Sequence, residues 1–181
     1  MPATATFTNP KTWAFQEGVE SSELNIEIRD QINSMGPHLI GRKTSDQNFP
    51  NTTLANVTSL VIPVLANTVW RFTMPVIYSA VAAADIKLGW TFPAGGRLTA
   101  SVVGFDAALN TIYRQWDDTV SPGSTIALGG SITIRMHVVI EGVFITAGTA
   151  GDVQLQAAQN TSDATSSVIY TNSTTWAVQL A

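Results

Sequence analysis

The sequence predicts an all-β fold, an antiparallel sandwich of jelly-roll type preceded by an extended arm and one short α-helix. From about residue 44 onward, apolar and polar residues alternate with a period of two in short runs, as half-buried strands do. Turn-forming Gly, Pro and Asp residues separate these runs at intervals of roughly 8–12 residues, which is typical of sandwiches and barrels. Only 12 % of the 181 residues are charged, and helical bundles need more charge on their exposed faces.

Four runs show the alternation most clearly, and each predicts a strand with one face in the core. The residues expected to face inward are Ile86, Leu88, Trp90 and Phe92; Ile132, Ile134, Met136 and Val138; Val153, Leu155 and Ala157; and Trp176, Val178 and Leu180. Further strands are predicted over residues 59–64, 68–79, 98–105, 111–116, 124–128, 143–147 and 166–170. Pro63 and Pro75 should mark edge positions or bulges, because proline cannot donate a ladder hydrogen bond.

The first 35 residues have a different character from the rest. Pro2, Pro10 and the alternating threonines oppose a helix in residues 1–18, so we expect an extended arm there. A helix is predicted over residues 22–35, where four apolar residues form one stripe: Leu24, Ile28, Ile32 and Met35. Gly36 and Pro37 end it. The predicted organisation is therefore an arm and helix over 1–35, a linker over 36–50 and a β-sandwich domain over 51–181.

The apolar side chains of this N-terminal segment need another surface against which they can be buried. Trp13 and Phe15 have nothing local to bury them, and a helix this short is marginal in isolation. The stripe could pack on the chain's own β domain, or it could pack against other copies or another protein. We expect the second arrangement, with Trp13 and Phe15 inserted into the partner, because the predicted linker lets the helix stand apart.

Composition excludes several functional classes. A net charge of −4 without a basic patch disfavours nucleic-acid binding. The absence of cysteine removes disulfides and thiol chemistry. The longest apolar runs fall far short of the ~20 residues that cross a bilayer, and the first residues do not form a secretory signal. We therefore expect a protein made in a cytoplasm that does not enter a membrane.

Catalytic and metal-binding patterns are also missing from the sequence. The two histidines, His38 and His137, have no acidic residue at a ligand spacing, and no nucleophile or phosphate-binding motif occurs. We expect no enzyme, no cofactor and no resident metal. A solvated turn is the simpler interpretation of the adjacent pair Asp117 and Asp118, with a Ca²⁺ site as the alternative. A glycosidase needs two facing carboxyls, and the sequence cannot pair its candidates, Asp106, Asp117 and Glu141.

Two aromatic residues in one predicted strand indicate a contact surface. Tyr113 and Trp116 are three positions apart, so at least one of them faces away from the core. An exposed aromatic there would serve a subunit contact, which we favour, or a ligand platform. Together with Asp117 and Asp118, these residues are the predicted contact at the outer tip of the domain.

Residues 12–30, TWAFQEGVESSELNIEIRD, resemble the TWxxGEVxTAxDLNxxIRD opening of structural proteins from tailed phages of actinobacteria. The matched positions are Thr12, Trp13, Leu24, Asn25, Ile28, Arg29 and Asp30, with Glu23 as a conservative replacement. Residues 16–18 depart from the usual Gly-Glu-Val order, and Glu20 replaces the capping Thr. Residues 51–58, 84–87 and 151–160 are similar to phage surface domains of the TNF/C1q-like jelly-roll type.

The resemblance implies a non-enzymatic protein of the virion surface, assembled in the host cytoplasm. Such domains associate as trimers, so we expect a homotrimer held to the major capsid protein or another virion protein by residues 1–35. Capsid decoration, as a head fibre or cement protein, is the preferred role. The alternative is a minor tail or tail-fibre protein that binds a host cell-surface glycan, and a small polysaccharide depolymerase is a third hypothesis.

Overall fold

The computed structural model of the chain describes residues 38–105, 110–116 and 123–180, and this part contains strands and no helix. The arm and the helix predicted over 1–35 lie outside it. Twelve strands form: β1 (His38–Arg42), β2 (Gln47–Phe49), β3 (Ala55–Val64), β4 (Val69–Ser79), β5 (Ile86–Thr91), β6 (Arg97–Phe105), β7 (Thr111–Trp116), β8 (Ile126–Leu128), β9 (Met136–Ile145), β10 (Gly151–Gln159), β11 (Ser167–Ile169) and β12 (Thr174–Gln179).

The strands form two antiparallel sheets that pack face to face, which confirms the predicted all-β sandwich and is consistent with a jelly-roll-type fold. The larger sheet has the order β1-β12-β4-β9-β6-β7; β11 also pairs with β4, and β2 pairs with β11. The smaller sheet has the order β3-β10-β5-β8. Their inner faces supply one apolar core. Phe72 of β4 and Trp90 of β5 meet edge to face across it, with ring centroids 5.5 Å apart.

Pro63 lies in an edge strand, as predicted, whereas Pro75 lies in a central strand, where a gap between two neighbouring ladders accommodates it. Pro63 lies in β3, an edge strand of the smaller sheet. Pro75 lies inside β4, but the β12 ladder ends at Thr73 and the β11 ladder starts at Tyr78, so neither neighbour pairs with it on that side. The amide of Ile77, two residues further on, donates to Ser173 Oγ on the same side. The proline nitrogen therefore points into a gap in the ladder.

The strand predicted through Ile132 and Ile134 is wrong in its first half. β9 begins only at Met136, and the two isoleucines are 63 % and 59 % exposed. Residues 129–135 connect β8 of the smaller sheet to β9 of the larger one. A segment that crosses between the sheets cannot pair with either, so its alternating pattern does not produce a strand.

The predicted orientation of the last strand is inverted. Thr175 and Ala177 of β12 are fully buried, whereas Trp176 is 43 % exposed. The inner side is tight here: Gly41, which pairs with Thr175, lies so close to β3 that a Cβ on it would be 2.8 Å from the carbonyl oxygen of Ser59. Only small side chains fit against that backbone, so the larger apolar set of β12 faces outward.

The segment predicted as a linker, residues 36–50, contains β1 and β2. Its anchor is Lys43, whose side chain is fully buried and whose Nζ donates to Gln47 Oε1 at 2.8 Å and to Thr58 Oγ1 at 2.6 Å. The Lys43 amide donates to the carbonyl of Ser173. Burial lowers the pKa of Lys43, and the nearby Asp46 carboxylate opposes that shift. The sandwich therefore extends at least as far back as His38.

Candidate interaction surface

The outer face of the larger sheet, turned away from the smaller sheet, carries an unusual share of exposed apolar side chains. Eight large hydrophobic residues are exposed in the described part of the chain, and five of them project from this face. The five are Ile40 at 76 %, Trp176 at 43 %, Leu180 at 58 %, Ile145 at 41 % and Val103 at 47 %. Because monomeric proteins rarely expose large contiguous apolar patches, this face is the candidate functional site.

Strand register makes these side chains neighbours. Residues directly opposite in an antiparallel pair share a face and have Cβ atoms about 5 Å apart. Ile40 is opposite Trp176, which is opposite Thr73. A second row runs from Leu180, whose amide donates to the Val69 carbonyl, through Val69 to Ile145. Half-buried residues fill the face between the rows: Val69, Thr73, Pro75, Ile77, Ser101, Val139, Val143 and Val178.

The outer face is large enough for a subunit contact. Six strands spaced ~4.8 Å apart span about 24 Å, and nine residues of β4 at ~3.3 Å each extend about 26 Å. The product is about 600 Å² in projection, and side-chain relief adds to it. A standard protein interface buries about 800 Å² on each partner, so the face matches that class.

Charged residues on this face are few and unevenly placed. Glu141 of β9 is exposed near the middle, between Thr73 of β4 and Ser101 of β6. Arg71 and Arg97 lie in the neighbouring rows toward the Leu180 end. Arg42 of β1, two residues beyond Ile40 and opposite Thr174, is exposed toward the other end of the face. The face thus has an apolar surface with one central carboxylate and arginines toward both ends.

The outer face of the smaller sheet is polar, and its amide side chains bind the protein itself. Between the pairs Gln154–Val61 and Gln156–Asn56, β3 advances five residues and β10 two, so β3 bulges. Gln154 Nε2 donates to the carbonyl oxygens of Val57 at 2.9 Å and Leu60 at 3.0 Å inside the bulge. Gln156 Nε2 donates to Asn56 Oδ1 at 2.9 Å. These polar side chains are structural.

A second apolar surface is the loop of residues 129–135, called here the β8–β9 loop. Two hydrogen bonds fix its first residues. Tyr78 Oη donates to the Gly129 carbonyl at 2.9 Å, and the Gly130 amide donates to Asp85 Oδ1 at 2.9 Å. Burial raises the pKa of Tyr78, and the Asp85 charge raises it further. Burial also raises the pKa of Asp85, although the hydrogen bond from Gly130 opposes the shift.

The far end of the β8–β9 loop is held by an aromatic ring. The guanidinium carbon of Arg135 lies 4.1 Å from the centroid of Tyr170, a cation–π contact. Tyr170 Oη is in turn 2.8 Å from Ser79 Oγ. Both ends of the loop are thus fixed, and Ile132 and Ile134 stand exposed between them.

Most of the residues predicted from the sequence as sites lie outside the described part of the chain. These are Trp13, Phe15, Leu24, Ile28, Ile32, Met35, Asp106, Asp117 and Asp118. The register of β7 places Tyr113 opposite Val103 and Trp116 opposite Ala100. Val103 is exposed on the outer face, whereas Ala100 is buried on the inner face. The two positions of β7 therefore pair with residues on different faces of the sheet, as their spacing predicts. Glu141 lies on the outer face, opposite Thr73 and Ser101, and the other two glycosidase candidates lie outside the described residues.

The sequence contains a pattern that indicates the apolar outer face, although a search for alternating apolar and polar residues does not detect it. In β4, apolar residues occur at both parities, with Phe72 and Met74 inside and Val69, Pro75 and Ile77 outside. A strand that is apolar on both sides is typical of a sheet covered on both faces. The same pattern appears in β9.

Neither a membrane-spanning helix nor a metal-binding cluster occurs among the described residues. No helix in residues 38–105, 110–116 or 123–180 is long and apolar enough to cross a bilayer. Within the same ranges, no three His, Asp or Glu side chains come together as a metal site would require.

No family model and no curated protein matches the sequence. Among solved structures, the chain is similar to viral proteins: the infectious bursal disease virus Gt strain, at 13 % identity and a TM-score of 0.20, and the VP2 subviral particle of that virus, at 13 % and 0.19. These matches cover 80 % and 79 % of this chain but only 37 % and 40 % of the viral chains. TM-scores below 0.5 leave the likeness without weight for fold or function.

Proposed function

We propose that this protein is a non-enzymatic structural component of a virus particle whose copies associate through the outer face of the larger sheet. The observation that carries the proposal is the outer face itself, with five exposed large hydrophobic side chains on neighbouring strands. Burial of apolar surface stabilises a complex by about 25 cal/mol per Å², before the entropy of association is subtracted. A face of this size and composition suits a lasting contact between subunits.

The role in the particle follows from the resemblance of residues 12–30 to phage structural proteins. Under this proposal the protein decorates the capsid as a trimeric head fibre or cement protein on the virion surface. Trp13 and Phe15 insert into the major capsid protein or another virion protein. The stripe of Leu24, Ile28, Ile32 and Met35 bundles with the same stripe of the other copies at the threefold axis.

The oligomeric mass of the full-length chain tests self-association. We expect native mass spectrometry at micromolar concentration to give three times the chain mass of 19.3 kDa. Val103→Lys places a charge in the outer face and should shift the protein to single copies, because the short helix predicted over residues 22–35 is marginal without the support of the β domains. The matched control is Ala127→Lys, an exposed position on β8 of the smaller sheet, which should leave the mass unchanged. A single-copy wild type, or equal effects of the two lysines, contradicts the proposal.

Attachment is tested separately on particles. Removing residues 1–35 should abolish incorporation of the protein into virions, because the deletion takes away Trp13, Phe15 and the helix stripe. Circular dichroism of the purified deletion variant should retain the β spectrum, since every described strand lies beyond residue 37. If a folded deletion variant still joins particles, the N-terminal segment is not the anchor.

A further inference from the structure

The described part of the chain presents two separate apolar surfaces of different shape. One is the broad outer face of the larger sheet. The other is the β8–β9 loop, where Ile132 and Ile134 are 63 % and 59 % exposed. A closed ring of identical subunits needs two different surfaces on each copy, because each subunit contacts one neighbour with one surface and the next with the other.

We propose that the β8–β9 loop of one copy packs onto the outer face of the larger sheet of the next copy. This inference rests on the proposed self-association and specifies its geometry as head-to-tail. Ile132 and Ile134 are the inserted groups, and they contact the row through Trp176 and the exposed side chain of Val103.

The loop is built to make such a contact with little loss of entropy. Gly129 and Gly130 are fixed by the bonds from Tyr78 and to Asp85, and Arg135 is fixed on the Tyr170 ring. The hydroxyls of Ser131 and Thr133 are also 3.0 Å apart, which ties the tip to itself. A preorganised loop gives more of its contact energy to binding than a mobile one.

Charge favours this arrangement over a contact between two outer faces. A twofold contact centred on the outer face would bring the Glu141 carboxylates of the two copies together, and like charges across an interface oppose association. The loop instead brings Arg135, an exposed cation beside Ile134, toward the central Glu141. Opposite charges then meet where the apolar groups meet.

A mixing experiment separates the two geometries. The loop variant, Ile132→Ser with Ile134→Ser, keeps an intact face, and the face variant, Val103→Lys, keeps an intact loop. We expect each full-length variant alone to have the mass of one copy, and an equimolar mixture to form a heterodimer of twice that mass, since one complementary pair of surfaces remains.

Each other outcome has a distinct meaning. If the loop variant alone keeps the wild-type oligomeric mass, or if both variants are single-copy and their mixture stays so, the head-to-tail inference is wrong while self-association stands. If the wild type itself is single-copy, the proposed function fails first, and the chain's own N-terminal segment becomes the occupant to examine on the outer face.

A charge exchange provides a second readout at the same contact. Arg135→Glu and Glu141→Arg should each weaken association by about tenfold in Kd. The double variant should lose less than the sum of the two free-energy losses, because it restores the opposite charges although it still lacks the contact between Arg135 and Tyr170. Equal unfolding midpoints in urea ensure that folding is not the cause. Additive losses in the double variant would mean that the two side chains do not meet.

Discussion

The two outer faces of this sandwich treat their side chains in opposite ways. On the smaller sheet, Gln154 and Gln156 are hydrogen-bonded to the backbone and side chains of β3, next to the Lys43 and Thr58 contact. On the larger sheet, Ile40 and Val103 project outward with large exposed fractions. The polar groups on the smaller sheet find their partners within one subunit. The apolar side chains on the larger sheet would instead gain stability if another apolar surface covered them. Substitutions on the smaller sheet should therefore affect folding, and those on the larger sheet association.

The largest expected effect on folding is at Lys43. Lys43→Ala removes a buried aliphatic stem together with the bonds to Gln47 and Thr58, which hold β1 and β2 to β3. We expect a loss of about 3 kcal/mol in the free energy of unfolding, measured in urea. A loss below ~1 kcal/mol would show that this polar cluster is not the clamp. Val103→Thr, on the outer face of the larger sheet, should change stability by less than about 0.5 kcal/mol.

The same lysine has a defined pH signature. The pKa of Lys43 in the folded state is lowered below 10.5. Between that pKa and pH 10.5, the folded state therefore binds fewer protons than the unfolded state. The contribution of Lys43 to the free energy of unfolding is therefore fully present above pH 10.5, and it is lost as the pH falls through the folded pKa. The difference in unfolding free energy between wild type and Lys43→Met should rise with pH toward 10.5. A flat difference would contradict the burial of the ammonium.

Gln154 should have the next largest effect. Gln154→Ala leaves the Val57 and Leu60 carbonyls in the β3 bulge without their donor, and a carbonyl deprived of its partner costs 1–3 kcal/mol depending on its access to water. We expect a loss of about 2 kcal/mol in chemical unfolding. The matched control is Gln156→Ala, whose exposed bond to Asn56 should be worth about 0.5 kcal/mol. Equal losses would mean that the bulge needs no support.

The contrast between the faces explains what could be predicted from the sequence. β5 and β10 were predicted from strict alternation, because one parity supplies the core and the other is polar or small. In β12 both parities are compatible with burial, and the close approach of Gly41 to β3, a tertiary feature, selects the small residues for the inside. Alternation also occurs at Ile132 and Ile134, but the change of sheet between β8 and β9 prevents pairing there.

The candidate site was harder to predict than the fold. Its apolar residues come from β1, β12, β4, β9 and β6, which are distant in sequence and adjacent only through the sheet order. Among the described residues, Tyr113 is the predicted contact residue whose strand position lies opposite Val103 of the outer face. The local sequence pattern that indicates such a face is the presence of apolar residues at both odd and even positions of β4 and β9.

Asp85 should give the smallest effect on folding, and it links the smaller sheet to the β8–β9 loop. Burial raises its pKa above 3.8, so its contribution to stability is present below 3.8 and is lost as pH rises through the folded pKa. Asp85→Asn keeps an oxygen for the Gly130 amide and tolerates the positive φ of 54°. Because the side chain is half-buried and water screens it, we expect a gain of at most about 0.5 kcal/mol at pH 7, vanishing below pH 4 in urea titrations.

Asp85→Ala separates the charge from the hydrogen bond. It removes the acceptor of Gly130 and puts a residue poorly suited to positive φ at this position, so stability should fall at every pH. If the loop makes the subunit contact, Asp85→Ala should also weaken association, because it frees one end of the loop, whereas Asp85→Asn should not. Equal association of the two variants in native mass spectra would show that this anchor does not preorganise the contact, and would leave Arg135 on Tyr170 as the remaining support to test.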